Sequence, residues 1–310
     1  MLARAAESVF WLARYVERMD NLARLLEAAQ LMAGLSVADE EWKSVLIAAG
    51  CDKTFFAAHD HATAETAALH LGCERANPSS ILNCLDYARI NARAMRTALT
   101  HDMWDAVNEA WLEGRRMTAR DFSPETLPET LDWVRTCAIR FSGAYQTTML
   151  RNEIYWFTRL GVFIERADNT ARILDVKYHV LLPQHSGVGG MLDYYQWTSV
   201  LRAVSAVRAY QWVYRGEVKP WNVAELLLLR PEMPRSLRRC YEEINTCLTE
   251  IAAVHEGRLG PPHALAGEIA GELRTTTIAA IFQTGLHEKL TELIDRTADL
   301  GTEIGAFYMR

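Results

Sequence analysis

Apolar residues recur every three to four positions along almost the whole chain, and no stretch alternates apolar and polar residues as a half-buried strand does. The spacing predicts about twelve helices, over 3–35, 39–51, 62–73, 78–99, 101–118, 128–150, 153–181, 193–215, 221–230, 234–257, 263–284 and 286–309. Local breakers separate them. Asn77-Pro78-Ser79-Ser80 puts proline at a helix start, where its missing N–H costs nothing. Ser123-Pro124 and Leu127-Pro128 mark another start, and Leu182-Pro183 through Gly190 reads as a loop. Pro231 and Pro234 flank a turn, and Gly260-Pro261-Pro262 marks another. Short connections favour antiparallel neighbours, so the expected fold class is all-α, a multi-helix bundle.

Two segments match without a gap. Tyr15-Val-Glu-Arg-Met-Asp-Asn-Leu-Ala-Arg-Leu-Leu-Glu27 lies over Phe163-Ile-Glu-Arg-Ala-Asp-Asn-Thr-Ala-Arg-Ile-Leu-Asp175. Downstream, Trp42-Lys-Ser-Val-Leu46 matches Trp197-Thr-Ser-Val-Leu201, Asn77-Pro-Ser-Ser-Ile81 matches Met233-Pro-Arg-Ser-Leu237, and Cys84 falls on Cys240. Matches that keep their order read as a duplication. The expectation is one domain over 1–310, built from two diverged, pseudo-symmetric repeats, 1–150 and 151–310, that share a core.

On a helix, Glu17, Asp20, Asn21 and Arg24 fall on one face, and Glu165, Asp168, Asn169 and Arg172 do the same. Arg18 and Arg166 complete the two Glu-Arg pairs. The opposite face is apolar: Trp11, Leu12, Tyr15, Met19, Leu22 and Leu26 in one helix, and Leu160, Phe163, Ala167, Leu174, Tyr178 and Leu181 in the other. A polar stripe is ordinarily a solvated face. Here Val162, Ile173 and Val176 sit on or beside the second stripe, which argues against a wet one. Two readings stay open. The stripes are buried and cross-paired, Glu17 with an arginine of the other half and Glu165 in return. Alternatively, they line a cleft and present carboxylates and guanidiniums to a polar ligand.

Composition narrows the chemistry. Of 33 basic residues 28 are arginine, the side chain suited to planar pairing with carboxylates and phosphates, although coding bias also produces such an excess. Arg89, Arg93 and Arg96 share one helical face, and Arg202 and Arg208 lie in the second half; these five are candidate contacts for an anion or an acidic partner. The net charge of −6 gives no reason to expect nucleic acid as a partner. No run approaches the ~20 apolar residues of a membrane span, and the first residues lack the layout of a signal peptide. Six cysteines without a C-x-x-C pair fit reduced cytoplasm. His59-Asp60-His61 with Glu65 resembles ligand material but falls in an expected loop, so no metal is assigned. The absence of a repeated Glu-x-x-His argues against a di-iron bundle, and no phosphate loop, dinucleotide fingerprint or nucleophile elbow is present; no cofactor is expected. Ser186-Gly-Val-Gly-Gly190 reads as a connector.

The segment Ala6-Glu-Ser-Val-Phe-Trp-Leu-Ala-Arg-Tyr-Val-Glu-Arg18, followed by Asp20-Asn21 and Ala23-Arg24, resembles the start of bacterial alpha-E domain proteins. Glu165-Arg166, Asn77-Pro78-x-Ser80, Ala88-Arg-x-Asn-Ala-Arg93 and Pro234-Arg-Ser-Leu237 look like further features of that family, so the resemblance spans essentially the whole chain. It implies an accessory role beside circularly permuted ATP-grasp proteins, which form amide bonds through acyl phosphates, and beside transglutaminase-like proteins. The expectation is therefore a non-catalytic helical partner or substrate-handling protein. The rivals are an enzyme using Glu17 or Glu165 as general base and a purely structural scaffold, and a homo-oligomer is left open.

Overall fold

Two long helices run through the middle of the molecule, α1 (Ala3–Ala33) and α8 (Glu153–Val180). No proline interrupts either, and their only glycine, Gly161, sits where the two cross. A Cβ built on Gly161 would lie 2.4 Å from the Phe10 carbonyl oxygen and 3.1 Å from the Ala13 Cβ. The backbones therefore approach almost to contact, as only a residue without a side chain allows.

The computed structural model describes the backbone of residues 3–33, 38–180 and 191–309; the side chains at 33–40 and 177–193 lie outside it, and with them the expected Leu182–Gly190 loop, its Ser186–Gly190 segment, and the apolar-face positions Tyr178 and Leu181. Among the described residues there are fifteen α-helices and no strand. After α1 come α2 (Ala38–Ala48), α3 (Asp52–Phe56), α4 (Ala64–Gly72), α5 (Ile81–Ala94), α6 (His101–Gly114), a 3₁₀ turn (Ala119–Phe122) and α7 (Leu127–Thr148). After α8 come α9 (Met191–Ala203), α10 (Val207–Tyr214), α11 (Pro220–Leu229), α12 (Leu237–Val254), α13 (Pro261–Thr275), α14 (Ile278–Thr284) and α15 (Leu286–Tyr308).

α1 packs against α8, α5, α7 and α9, whereas α8 packs against α12, α15 and α2. The buried side chains of all these helices form one continuous apolar cluster, which includes Phe10, Trp42, Phe157, Tyr210 and Tyr241. Leu12, Met19, Leu22 and Leu26 are inside it, as are Leu160, Phe163, Ala167 and Leu174, so both apolar faces of the motif helices are used.

The all-helical expectation holds, and the element count rises from twelve for local reasons. The α2 segment stops at Ala48 because Gly50 takes a positive φ of 65°, with Cys51 N–H donating to Leu46 and Gly50 N–H to Ile47. This is a Schellman ending, and glycine is the residue that adopts it without strain. The predicted 193–215 helix divides at Ser205, whose φ is 55°. The predicted 263–284 helix divides where the Thr277 side chain caps α14. Helices expected from Pro78 and Pro234 begin three residues later, because Ser80 and Ser236 accept from Asn83 and Arg239 N–H and cap α5 and α12. Those two serines occupy matching positions in the sequence, and both are fully buried. No helix among the described residues is long and apolar enough to cross a membrane.

Candidate functional site

Glu17 and Arg18 sit midway along α1, and Glu165 and Arg166 midway along α8, so the crossing at Gly161 brings the two dipeptides together. Each glutamate takes the arginine of the other helix. Arg166 Nε and Nη2 donate to the two carboxylate oxygens of Glu17, both at 2.9 Å. Arg18 Nε and Nη2 donate to those of Glu165 at 2.6 and 3.1 Å. These are forked, charge-assisted contacts, the stronger kind of hydrogen bond. The carboxylates are deeply buried, with side-chain exposures of 8% for Glu17 and 2% for Glu165.

Two further guanidiniums join each side. Arg235, in the turn before α12, donates to Glu17 at 2.7 Å and to Asp20 at 2.8 Å, and Arg24 also donates to Asp20 at 2.8 Å. Arg14 donates to Glu165 at 2.8 Å, and Arg172 to Asp168 at 2.8 Å. Each side thus holds three arginines against two carboxylates. Of the predicted stripes, Glu17, Asp20, Asn21 and Arg24 are buried, as are Glu165 and Asn169, while Asp168 and Arg172 are half-buried. The cross-paired arrangement weighed for the stripes is the one found. Sequence reasoning missed Arg14 and Arg235. Arg14 lies one turn before Arg18 on the same face, which was a usable signal; Arg235 lies in the Pro234-Arg-Ser-Leu237 feature but stands where the matching segment has Ser79, so the repeat did not single it out.

Burial is the largest influence on both glutamates and pushes their pKa values up. The guanidiniums of Arg166 and Arg235 outweigh it for Glu17, and those of Arg18 and Arg14 for Glu165, so both are held down at about 2. Arg18 and Arg166 are lowered by burial but raised on balance by their glutamates, whereas burial and the neighbouring Arg166 and Arg24 leave Arg235 lowered. The nearby Cys84 and Cys240 thiols are pushed up by burial to about 12, so neither is a ready nucleophile.

A pH dependence follows from these directions. An unfolded glutamate ionises near 4.5, so stability from the two pairs is present above that pH and drains away as pH falls toward 2. Urea unfolding followed from neutral pH downward should show a steep loss of midpoint within that window; a flat profile there would contradict the pairing.

Two concavities adjoin the Glu17 side. One, of about 170 Å³, is lined by Glu17, Asp20, Arg24, Arg166 and Arg235, with Ser142 and Tyr145 of α7 opposite. The buried Asp20 Oδ1 has no hydrogen-bond partner there. The other, of about 290 Å³, is walled by Arg24, Arg135, Arg202 and Arg208, with Ser205 and Glu27. Arg24 lines both and donates Nη1 to Ser205 Oγ, and Arg135 donates to Glu27 at 2.7 Å. Arg202 and Arg208 are exposed and have no ion-pair partner among the described residues. The α9–α10 turn at Ser205 is what sets them on one cleft. A larger groove of about 490 Å³ separates α1 from α15, but its one cation, Arg14, is already engaged by Glu165.

The other predicted arginines go elsewhere. Arg89 lies 3.9 Å over the Trp111 ring and bonds Asn108, and Arg96 lies 4.9 Å over Trp104. Arg93 is exposed on α5 with Arg89, whereas α5 ends at Ala94 and leaves Arg96 in the following turn, so the three do not share one helical face and do not join Arg202 and Arg208.

Neither the curated proteins nor the solved structures include a match to this chain. The family model Alpha-E, described as a predicted alpha-helical domain with a conserved ER motif, matches residues 1–309. With the two Glu-Arg dipeptides exchanged between α1 and α8 at the centre of an all-helical fold, the chain belongs to the Alpha-E family.

Proposed function

We propose that the protein is an accessory, non-catalytic helical partner that handles an anionic substrate for an ATP-grasp amide or peptide ligase, with a transglutaminase-like protein as a further partner. The observation that carries this reading is the arginine-walled cleft: Arg202 and Arg208 face it without carboxylates of their own, beside the Arg24 of the motif. Carboxylates and acyl phosphates are the anions that such planar donors recognise. Trp212 lies one turn beyond Arg208 on α10 and is 80% exposed, and an exposed tryptophan beside arginine is the composition of a protein-binding surface. The general-base alternative is disfavoured, because a base works best with a pKa near the operating pH and Glu17 and Glu165 are held at about 2. The two halves, read as pseudo-symmetric repeats of one unit, meet along the exchanged pairs, which keep the cleft wall in register.

The test is co-purification with any ATP-grasp protein encoded beside it, together with titration by pyrophosphate. The double variant Arg202→Ala/Arg208→Ala should weaken pyrophosphate binding about 100-fold, the loss expected for two charged hydrogen-bond donors. Its stability should stay within about 0.5 kcal/mol of the parent, since both residues are on the surface. Trp212→Ala should lose the ligase but keep the anion. Wild-type protein that binds neither would sink the proposal.

A further inference from the structure

The connection between α3 and α4 gathers three metal-capable side chains that the seam and the cleft do not use. His59 follows α3, and its ring stacks on Phe55 with centroids 4.6 Å apart. His70, buried in α4, meets the same ring edge-on at 5.2 Å. Glu74 follows His70 by one turn, and its carboxylate reaches both imidazoles. Its Oε2 lies 2.6 Å from His70 Nδ1, and its Oε1 lies 3.1 Å from His59 Nε2. One ligand atom from each residue lies within 4.8 Å of the other two.

Both ring nitrogens of His70 have polar neighbours. Thr54 Oγ1, which lies 2.8 Å from the Cys51 carbonyl, is 3.3 Å from Nε2. Nδ1 faces the Glu74 carboxylate, 2.6 Å from Oε2.

We propose that His59 Nε2, His70 Nδ1 and a Glu74 carboxylate oxygen bind a divalent ion of the zinc class. Two imidazoles and one carboxylate are a ligand set such ions accept, with solvent in the remaining position. Ligands about 2.0–2.1 Å from a tetrahedral ion stand about 3.3 Å apart. Glu74 Oε1 and His59 Nε2 are 3.1 Å apart, whereas Glu74 Oε2 and His70 Nδ1, at 2.6 Å, have to draw apart to admit the ion. His59 and Glu74 are 26% and 29% exposed, which leaves the ion a way in and a side open to water. Thr54 Oγ1, beside His70 Nε2, stands where a ligating histidine commonly has a partner for its other ring nitrogen. Of the residues considered from sequence, His61 and Glu65 are exposed and stay outside the cluster. The pair that matters is His70, in the last turn of α4, and Glu74, just past the end of that helix.

The experiment is calorimetric titration of tag-free, metal-stripped protein with zinc at neutral pH, with cobalt as a visible-spectrum reporter. The expected result is one zinc per chain and a tetrahedral cobalt spectrum. His59→Gln and Glu74→Gln should each weaken zinc binding by at least about 100-fold and abolish the cobalt bands, and Thr54→Val should weaken it about 10–100-fold. His59→Gln changes a partly exposed loop residue, so an unaltered circular dichroism melt would show that it still folds. Absence of stoichiometric zinc binding would overturn the proposal, as would variants that bind like the parent. So would imidazole nitrogen spectra with His70 Nδ1 still protonated after zinc is added, because a protonated nitrogen has no lone pair for the ion.

Discussion

Glu17→Gln and Glu165→Gln should each destabilise the fold by about 3–5 kcal/mol, the usual cost of removing one partner from a buried ion pair. The loss comes less from the missing attraction than from what stays behind. Without its carboxylate, Glu17 leaves Arg166 and Arg235 facing each other with only Asp20 to share. Without Glu165, Arg18 and Arg14 converge on a neutral amide. Glutamine keeps the shape and an acceptor, so a large effect isolates charge from packing. Urea unfolding measures it as a lower midpoint with an unchanged slope. A loss below about 1 kcal/mol would mean that water reaches the pair, which the burial of both carboxylates excludes. Replacing whole pairs by apolar residues is a different experiment, and other proteins tolerate it well. The expected difference between the two kinds of variant identifies the seam as a device for register rather than a source of net stability.

The second large effect is at the helix crossing. Gly161→Ala adds one methyl in the middle of α8, a change that ordinarily stabilises a helix by about 0.5–1 kcal/mol. Here the sign should invert. The new Cβ would sit 2.4 Å from a backbone oxygen of α1, and backbone cannot rotate aside as a side chain can. A cost of about 1–3 kcal/mol is expected from overpacking alone. It should be higher here if moving α1 loosens the forked contacts one turn away. Gly143→Ala in α7 is the control, because a Cβ there meets nothing within 4 Å and should stabilise. Thermal melting of the two variants should move in opposite directions, and movement in the same direction would show that the crossing is looser than described.

Much of this was legible in the residues. The helical period ran through the chain, and the gapless match of 15–27 with 163–175 singled out Glu17, Arg18, Glu165 and Arg166 as one set. Val162, Ile173 and Val176 beside the second stripe already argued that it was dry, and all three are buried. What escaped was fixed by contacts distant in sequence or by backbone angles. Arg235 reaches Glu17 across 218 residues, and no periodicity records that. The positive φ at Ser205 breaks an apparently continuous helix and turns Arg202 and Arg208 onto one cleft. Serine there carries none of the usual signal of such a turn, which glycine or asparagine would give. His59 joins His70 only because a loop folds it back over Phe55, so the adjacent His61 was the more visible candidate and the less relevant one.

The exchange of arginines between α1 and α8 also orders events in time. As the chain leaves the ribosome, α1 is complete long before its glutamate can be neutralised in the interior. Arg166 arrives 149 residues after Glu17, and Arg235 comes later still. Until then, burying Glu17 would strand a bare charge in an apolar core, so the first half has to keep that face hydrated and unclosed. Contacts of such long sequence separation form slowly and late. A nascent or truncated chain that ends before α12 therefore carries a visible defect, a wet acidic groove, that distinguishes it from a finished molecule.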